Sequence, residues 1–97
     1  MKNYCIFDLQ VDCGWEERDE WFGKMRWPVG GKHEFISVEY EPKQGQDIYK
    51  TARLELDKLM GDREFCIWYW TFSDTPANTA TINTYYSITG RRSDRPS

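Results

Sequence analysis

A chain of 97 residues suits one folded domain, and 39% hydrophobic with 30% charged residues is ordinary for a soluble protein. Aromatic residues make up 16% of the chain, too many for a disordered protein. Mean hydropathy is -0.81, and no apolar run reaches the roughly 18 residues that a membrane helix needs. Asp8 and Asp12 interrupt the first apolar stretch, which is unlike a secretory signal, so we expect a cytoplasmic protein without membrane contact.

Charge is unevenly distributed along the chain. The net charge of -3 comes from 13 basic and 16 acidic residues. Residues 8–20 hold six acids against Arg18, a local balance of -5, whereas 91–97 hold three Arg and one Asp, a balance of +2. We therefore expect an acidic domain over 1–90 and a disordered basic tail over 91–97. An acidic domain disfavours direct DNA binding and attracts basic partners.

The first third of the chain predicts a strand followed by a helix. Residues 3–12 alternate between apolar and polar positions, as a half-buried strand does. Trp15, Phe22 and Met25 then repeat at i, i+7 and i+10, which predicts a short helix with one apolar side. The acids between them would line the rest of that helix.

The middle of the chain predicts a second strand and a second helix. Residues 33–41 alternate again, with Pro42 closing the strand. Asp47 is a suitable N-cap, and Gly61 fits the C-terminal end of the helix. The apolar stripe between these caps consists of Ile48, Ala52, Leu56 and Leu59.

The last third predicts two strands. Residues 64–72 are apolar on both faces; strict alternation places Trp68, Trp70 and Phe72 on one face and Phe65, Ile67 and Tyr69 on the other. Residues 81–89 are rich in Thr, Ile and Tyr and predict a final strand. The expected fold class is α+β, in the order β-α-β-α-β-β, with a mostly antiparallel sheet packed against two helices.

The sequence contains no recognisable catalytic motif. His33 is the only histidine, and no Ser or Cys lies in a nucleophile turn. Cys5, Cys13 and Cys66 match no zinc spacing and are expected to be buried or partly buried thiols. Gly30 and Gly31 precede a lysine but do not complete a phosphate-binding loop. We expect a protein that is not an enzyme and that uses neither a cofactor nor a metal.

The acidic cluster near the N-terminus is the strongest candidate for a partner-binding site. On a helix, carboxylates three or four residues apart form a row that imitates part of a DNA phosphate strand for a basic groove. The alternative is an ordinary solvated helix face. Aromatic residues such as Trp21, Trp27 or Tyr85 either belong to the core or serve as exposed interface anchors. The predicted partner-binding residues are Asp8, Asp12, Glu16, Glu17, Asp19, Glu20 and Trp21.

A short, acidic, aromatic-rich chain that carries DLQVDCGWEERDEW near its start resembles prophage-encoded anti-CRISPR proteins. The resemblance is to the DNA-mimic inhibitors of the type I-F (Csy) surveillance complex, and it concerns the whole chain because these inhibitors share no motif. It implies a phage protein in the bacterial cytoplasm that binds the basic DNA-binding groove of the crRNA-guided complex and blocks target DNA. The mild net charge and the arginines of the tail depart from that pattern.

Two other functions remain open from the sequence. An immunity protein that neutralises a basic nuclease toxin would also present an acidic surface, but it would have a single toxin as its partner. A small ligand-binding domain would use the aromatic residues instead. Its ligand binding would then survive mutation of the acidic cluster.

Overall fold

The computed structural model describes residues 2–78 and 82. Within these residues it contains five strands and one helix of more than one turn. These elements are β1 (Tyr4–Val11), β2 (Gly14–Glu20), β3 (Gly23–Val29), β4 (Lys32–Glu39), α1 (Ile48–Met60) and β5 (Phe65–Ser73). The prediction of a β-α-β-α-β-β fold with two helices was wrong, because the first predicted helix is a β-hairpin.

A three-stranded antiparallel sheet in the order β4-β1-β5 forms the centre of the molecule. The central strand β1 pairs on both sides, which is why its residues are the most deeply buried. Cys5, Phe7, Leu9 and Val11 point to one face and are fully buried. This face was predicted correctly from the alternation of residues 3–12.

Helix α1 covers that apolar face of the sheet. Asp47 caps its start by accepting hydrogen bonds from the amides of Tyr49 (2.8 Å) and Lys50 (3.3 Å). The amide of Gly61 donates to the carbonyl of Asp57 at 3.0 Å and ends the helix. The side chains that it buries against the sheet are mainly Ala52, Leu56 and Met60. The caps and half of the predicted stripe, Ala52 and Leu56, were predicted correctly, but Ile48 and Leu59 are exposed and Met60 was missed.

Strand β5 contains a bulge that changes the face of half of its side chains. The register against β1 shifts between Asp8 and Leu9, so Trp68 is the extra residue. As a result Phe65, Ile67, Trp70 and Phe72 share the face that α1 covers, whereas Trp68 reaches Gln10 on the opposite face through a 3.1 Å hydrogen bond. The predicted faces of this strand were therefore wrong, because strict alternation cannot include an inserted residue.

Strands β2 and β3 form a separate two-stranded antiparallel ribbon, called here the hairpin. Its turn consists of Trp21 and Phe22, since Glu20 pairs with Gly23. An isolated two-stranded ribbon is only marginally stable, so contacts between its strands are needed to stabilise it. The guanidinium of Arg26 lies 4.8 Å from the Trp15 ring, and that of Arg18 lies 5.6 Å from the Trp27 ring. These cation–π pairs connect the two strands and stabilise the ribbon.

The hairpin joins the sheet through two tight connections. Asp12, between β1 and β2, has a φ of 54°, and Gly31, before β4, has a φ of 74°. A Cβ on residue 31 would overlap the carbonyl oxygen of Val11, so only glycine fits there. Hydrogen bonds from Gln10 to the carbonyl of Gly30 (2.7 Å) and from Trp15 to Glu64 (2.9 Å) hold the base of the hairpin.

Several predictions lie wholly or partly outside the described residues. Of the strand expected over 81–89, only Ile82 is described; it is helical, and its amide donates to the carbonyl of Asn78 at 2.9 Å. The tail over 91–97, the domain boundary at residue 90 and Tyr85 are not described. Within the described part of the chain, no helix has the length and apolar character required to cross a membrane.

Candidate functional site

The acidic cluster does not form a row along a helix. Because β2 is a strand, its side chains alternate between the two faces of the hairpin. Glu17 and Asp19 lie on one face and Glu16 and Glu20 on the other. Carboxylates on the same face are separated by two residues, roughly 6.5–7 Å along the strand. The continuous row predicted from the sequence is therefore divided into two pairs.

Basic side chains from the hairpin itself accompany both pairs. Glu17 is opposite Arg26, and Asp19 is opposite Lys24. On the other face, Arg18 lies 3.4 Å from Glu16. Four acids and three bases leave residues 14–29 with a net charge of only -1. The hairpin therefore presents short alternating charges rather than an extended negative surface.

The tip of the hairpin is strongly exposed and aromatic. Trp21 is 94% exposed, and Phe22 is 55% exposed. Their rings contact each other edge to face, with centroids 5.2 Å apart and planes at 90°. Trp21 was predicted as a partner-binding residue, whereas Phe22 was assigned to the core by the helical spacing. A two-residue hairpin turn directs both side chains away from the fold.

Asp8 was predicted to extend the acidic surface, but it is fully buried at the centre of β1. Its carboxylate shares a hydrogen bond with Nε2 of His33, which is on β4 and is half-buried. The His33 ring also contacts Phe35, with centroids 4.8 Å apart. Burying a carboxylate without a partner is costly, so this hydrogen bond helps to hold β1 against β4. Asp8 therefore belongs to the interior of the sheet and cannot contact a partner.

Asp12 is also engaged within the protein. Arg63 donates two hydrogen bonds to its carboxylate, at 3.1 and 3.0 Å, and a third to Glu34 at 3.1 Å. The bidentate bond with Arg63 lowers the pKa of Asp12, and the two carboxylates raise the pKa of Arg63. The network joins the β1–β2 connection to the residues before β5. Asp12 remains exposed, but its carboxylate is held by Arg63.

The cysteines lack the surroundings of a reactive thiol. Cys5 and Cys13 are buried and Cys66 is half-buried, in agreement with the prediction, and all three are free thiols. Burial raises the pKa of Cys5 to about 12 and raises the pKa of the other two thiols as well. Catalytic cysteines have a lowered pKa instead. Among residues 2–78 and 82, no group of three or more metal-ligating side chains converges.

Sequence reasoning missed the Asp8–His33 pair and the Arg63 network. A signal for the first was present, since Asp8 occupies the middle of a strand that is otherwise strongly apolar. The second joins residues 51 positions apart in the chain, which no local pattern indicates.

Comparisons with known proteins give no match to a protein-family model, to a curated protein or to a solved structure. The function is therefore argued from the geometry of this chain.

Proposed function

We propose that this protein acts by binding a protein partner rather than by catalysing a reaction, and that the hairpin makes the contact. The observation that carries the proposal is the 94% exposure of Trp21, paired with Phe22 at the end of the ribbon. Tryptophan is enriched among the residues that dominate the binding energy of protein interfaces. An exposed aromatic pair of this kind suits insertion into an apolar pocket.

The net charge of residues 1–90 favours a basic partner. Glu17 and Asp19 precede the tip on strand β2, and both are exposed. Subtracting the tail's +2 from the total of -3 leaves -5 for residues 1–90, which steers the protein toward positive surfaces. A protein groove that grips nucleic acid through Lys and Arg has both the charge and the shape required.

The proposed function is therefore stoichiometric inhibition of a nucleic-acid-binding machine. In this mechanism Trp21 and Phe22 anchor the inhibitor, and the nearby carboxylates occupy cations that would otherwise contact phosphates. The resemblance to anti-CRISPR proteins makes the type I-F crRNA-guided surveillance complex the first partner to test. On this proposal the protein works in the cytoplasm of an infected bacterial cell.

The test is a competition assay in which the protein is added to the purified complex before labelled target duplex. We expect DNA binding to be lost while the protein stays on the complex. Trp21→Ala and Glu17→Lys should each raise the inhibitory concentration by about tenfold or more. Asp57→Lys is the matched control for the charge change, because Asp57 lies on the solvent-facing side of α1; it should inhibit like the wild type.

Three results would contradict parts of the proposal. Binding of the protein without loss of DNA would show action at a later step, such as nuclease recruitment. Unchanged inhibition by Trp21→Ala would exclude the hairpin tip as the anchor. No binding to the complex would exclude this partner, and neutralisation of a basic nuclease toxin would then identify an immunity protein.

A further inference from the structure

The edge of β4 has backbone groups that point away from the sheet. The amide of Tyr40 donates to the carbonyl of Asn3 at 3.0 Å, which fixes the hydrogen-bonding phase between β1 and β4. In an antiparallel pair, alternate residues bond inward and the residues between them point outward. The register Cys5↔Val38 therefore bonds inward, and the N–H and C=O groups of Ser37 and Glu39 point outward.

A groove runs between this edge and helix α1. It consists of two adjoining cavities of about 440 and 390 Å³, which share Glu39 and Glu55 in their walls. Ser37 lines it from β4, and Leu59, which is 61% exposed, lines it from the helix. An edge strand beside a helix is the arrangement in which extended peptides add to a sheet as a further strand.

The charges of the groove favour a basic occupant. Three acidic residues line it, Glu39, Glu41 and Glu55, against two basic residues, Lys2 and Lys58. Glu39 contacts Lys2 at 3.5 Å and Glu55 contacts Lys58 at 3.2 Å, but both lysine side chains are more than 70% exposed. Such exposed ion pairs are weak and exchange readily with other cations. Within the described residues, Glu41 makes no ion pair.

We propose that this groove binds an extended peptide segment of a partner protein that carries Lys or Arg at alternate positions. The peptide backbone pairs with Ser37 and Glu39, and the basic side chains on its helix-facing side contact Glu55 and its neighbours. The apolar stem of a Lys or Arg side chain packs on Leu59 while its charge reaches the carboxylates. This surface is separate from the hairpin, so the proposal does not depend on the proposed function.

The test uses a capped six-residue peptide of alternating Lys and Val, with a Glu and Val peptide of the same length as control. Amide hydrogen exchange of the full-length protein is followed by NMR. We expect the basic peptide to slow exchange at Ser37 and Glu39 by about tenfold or more, because strand pairing protects amides. The acidic peptide should not protect them. Absence of protection by the basic peptide, or equal protection by both peptides, would overturn the proposal.

Two variants separate backbone pairing from nonspecific attraction. Ser37→Pro removes the outward amide without affecting the bonds to β1, and edge strands tolerate proline at such positions. We expect it to abolish binding, whereas Ser37→Ala, which keeps the amide, should bind normally. Equal binding by the two variants would overturn strand addition.

A triple variant guards against failure of the proline variant to fold. Glu39→Gln, Glu41→Gln and Glu55→Gln together keep the backbone edge, and we expect them to weaken the basic peptide about tenfold. Unchanged affinity would overturn the proposed role of these three carboxylates in binding the basic peptide. Without peptide, amide exchange at Ser37 and Glu39 could instead slow as the protein concentration rises. That result would identify a second copy of the chain as the occupant and would also overturn the proposal.

Discussion

At the scale of single residues, Asp12 shows how one side chain can have a structural role that its surroundings in the sequence do not indicate. It lies in the acid-rich segment 8–20, yet its carboxylate receives two hydrogen bonds from Arg63. It also adopts a left-handed φ of 54°, which Asp and Asn tolerate better than most residues. The residue therefore supports the connection between the sheet and the hairpin.

The Asp12–Arg63 pair predicts a specific dependence of stability on pH. Because the pKa of Asp12 is lowered in the folded state, its contribution is complete above the unfolded pKa of about 3.9 and is lost as pH falls through the folded pKa. Asp12→Asn keeps the backbone conformation but removes the charge. Chemical denaturation between about pH 2 and pH 7 should show a stability difference from the wild type that shrinks below about pH 4. A constant difference would contradict the role of the charge.

At the scale of secondary structure elements, helix α1 and the hairpin show when local patterns suffice. The helix has a capping Asp, a glycine at its end and apolar residues at helical spacing, of which Ala52 and Leu56 are buried, and these signals agree with one another. The first predicted helix depended only on the spacing of Trp15, Phe22 and Met25. The glycines in that part of the chain did not support a helix. Glu17 and Asp19 lie on one face of β2 and Glu16 and Glu20 on the other, but all four are acidic, so the sequence did not indicate this alternation.

The helix offers a matched test of its packed side. Leu56 is fully buried against the sheet, whereas Leu59, one turn away, is 61% exposed. Leu56→Ala should lower the free energy of unfolding by about 2–5 kcal/mol, because it removes buried methyl groups and leaves a cavity. Leu59→Ala should change it by less than about 0.5 kcal/mol. Urea denaturation of both variants measures the difference, and equal losses would contradict the described packing.

At the scale of the whole molecule, the acidic charge is spread over residues 1–90, whereas the most exposed aromatic pair lies at the tip of the hairpin. The net charge of -3 is modest, and the hairpin itself has -1. Long-range attraction to a basic partner and short-range anchoring by Trp21 therefore contribute to different steps of binding. Charge acts mainly on association, whereas the buried anchor acts mainly on dissociation.

This division predicts how binding to the proposed partner depends on salt. Between about 50 and about 500 mM NaCl, the association rate should fall several-fold while the dissociation rate changes less, because salt screens exposed charges. Trp21→Ala should instead raise the dissociation rate at every salt concentration. Surface plasmon resonance with immobilised complex measures both rates. An association rate that does not change with salt would indicate that the aromatic tip alone recognises the partner.

Much of the sheet and helix could be predicted from the sequence by itself. The buried face of β1, the strand over Lys32–Glu39, the capped helix and the apolar strand before Ser73 follow from periodicity and capping, which are local properties. The exposure of Trp21 was also predicted, as one of two alternatives for the aromatic residues, which were expected either in the core or exposed as interface anchors. These features depend on neighbours along the chain, and so the order of residues specifies them.

Tertiary structure alone decided which of the predicted acids are engaged by distant parts of the chain. Asp8 is buried because β1 is the central strand and His33 lies beside it, and Asp12 is held by an arginine 51 residues away. The bulge at Trp68 appears only once β5 is aligned with β1. In each case the deciding contact joins distant parts of the chain, and its energy depends on burial that no local pattern contains.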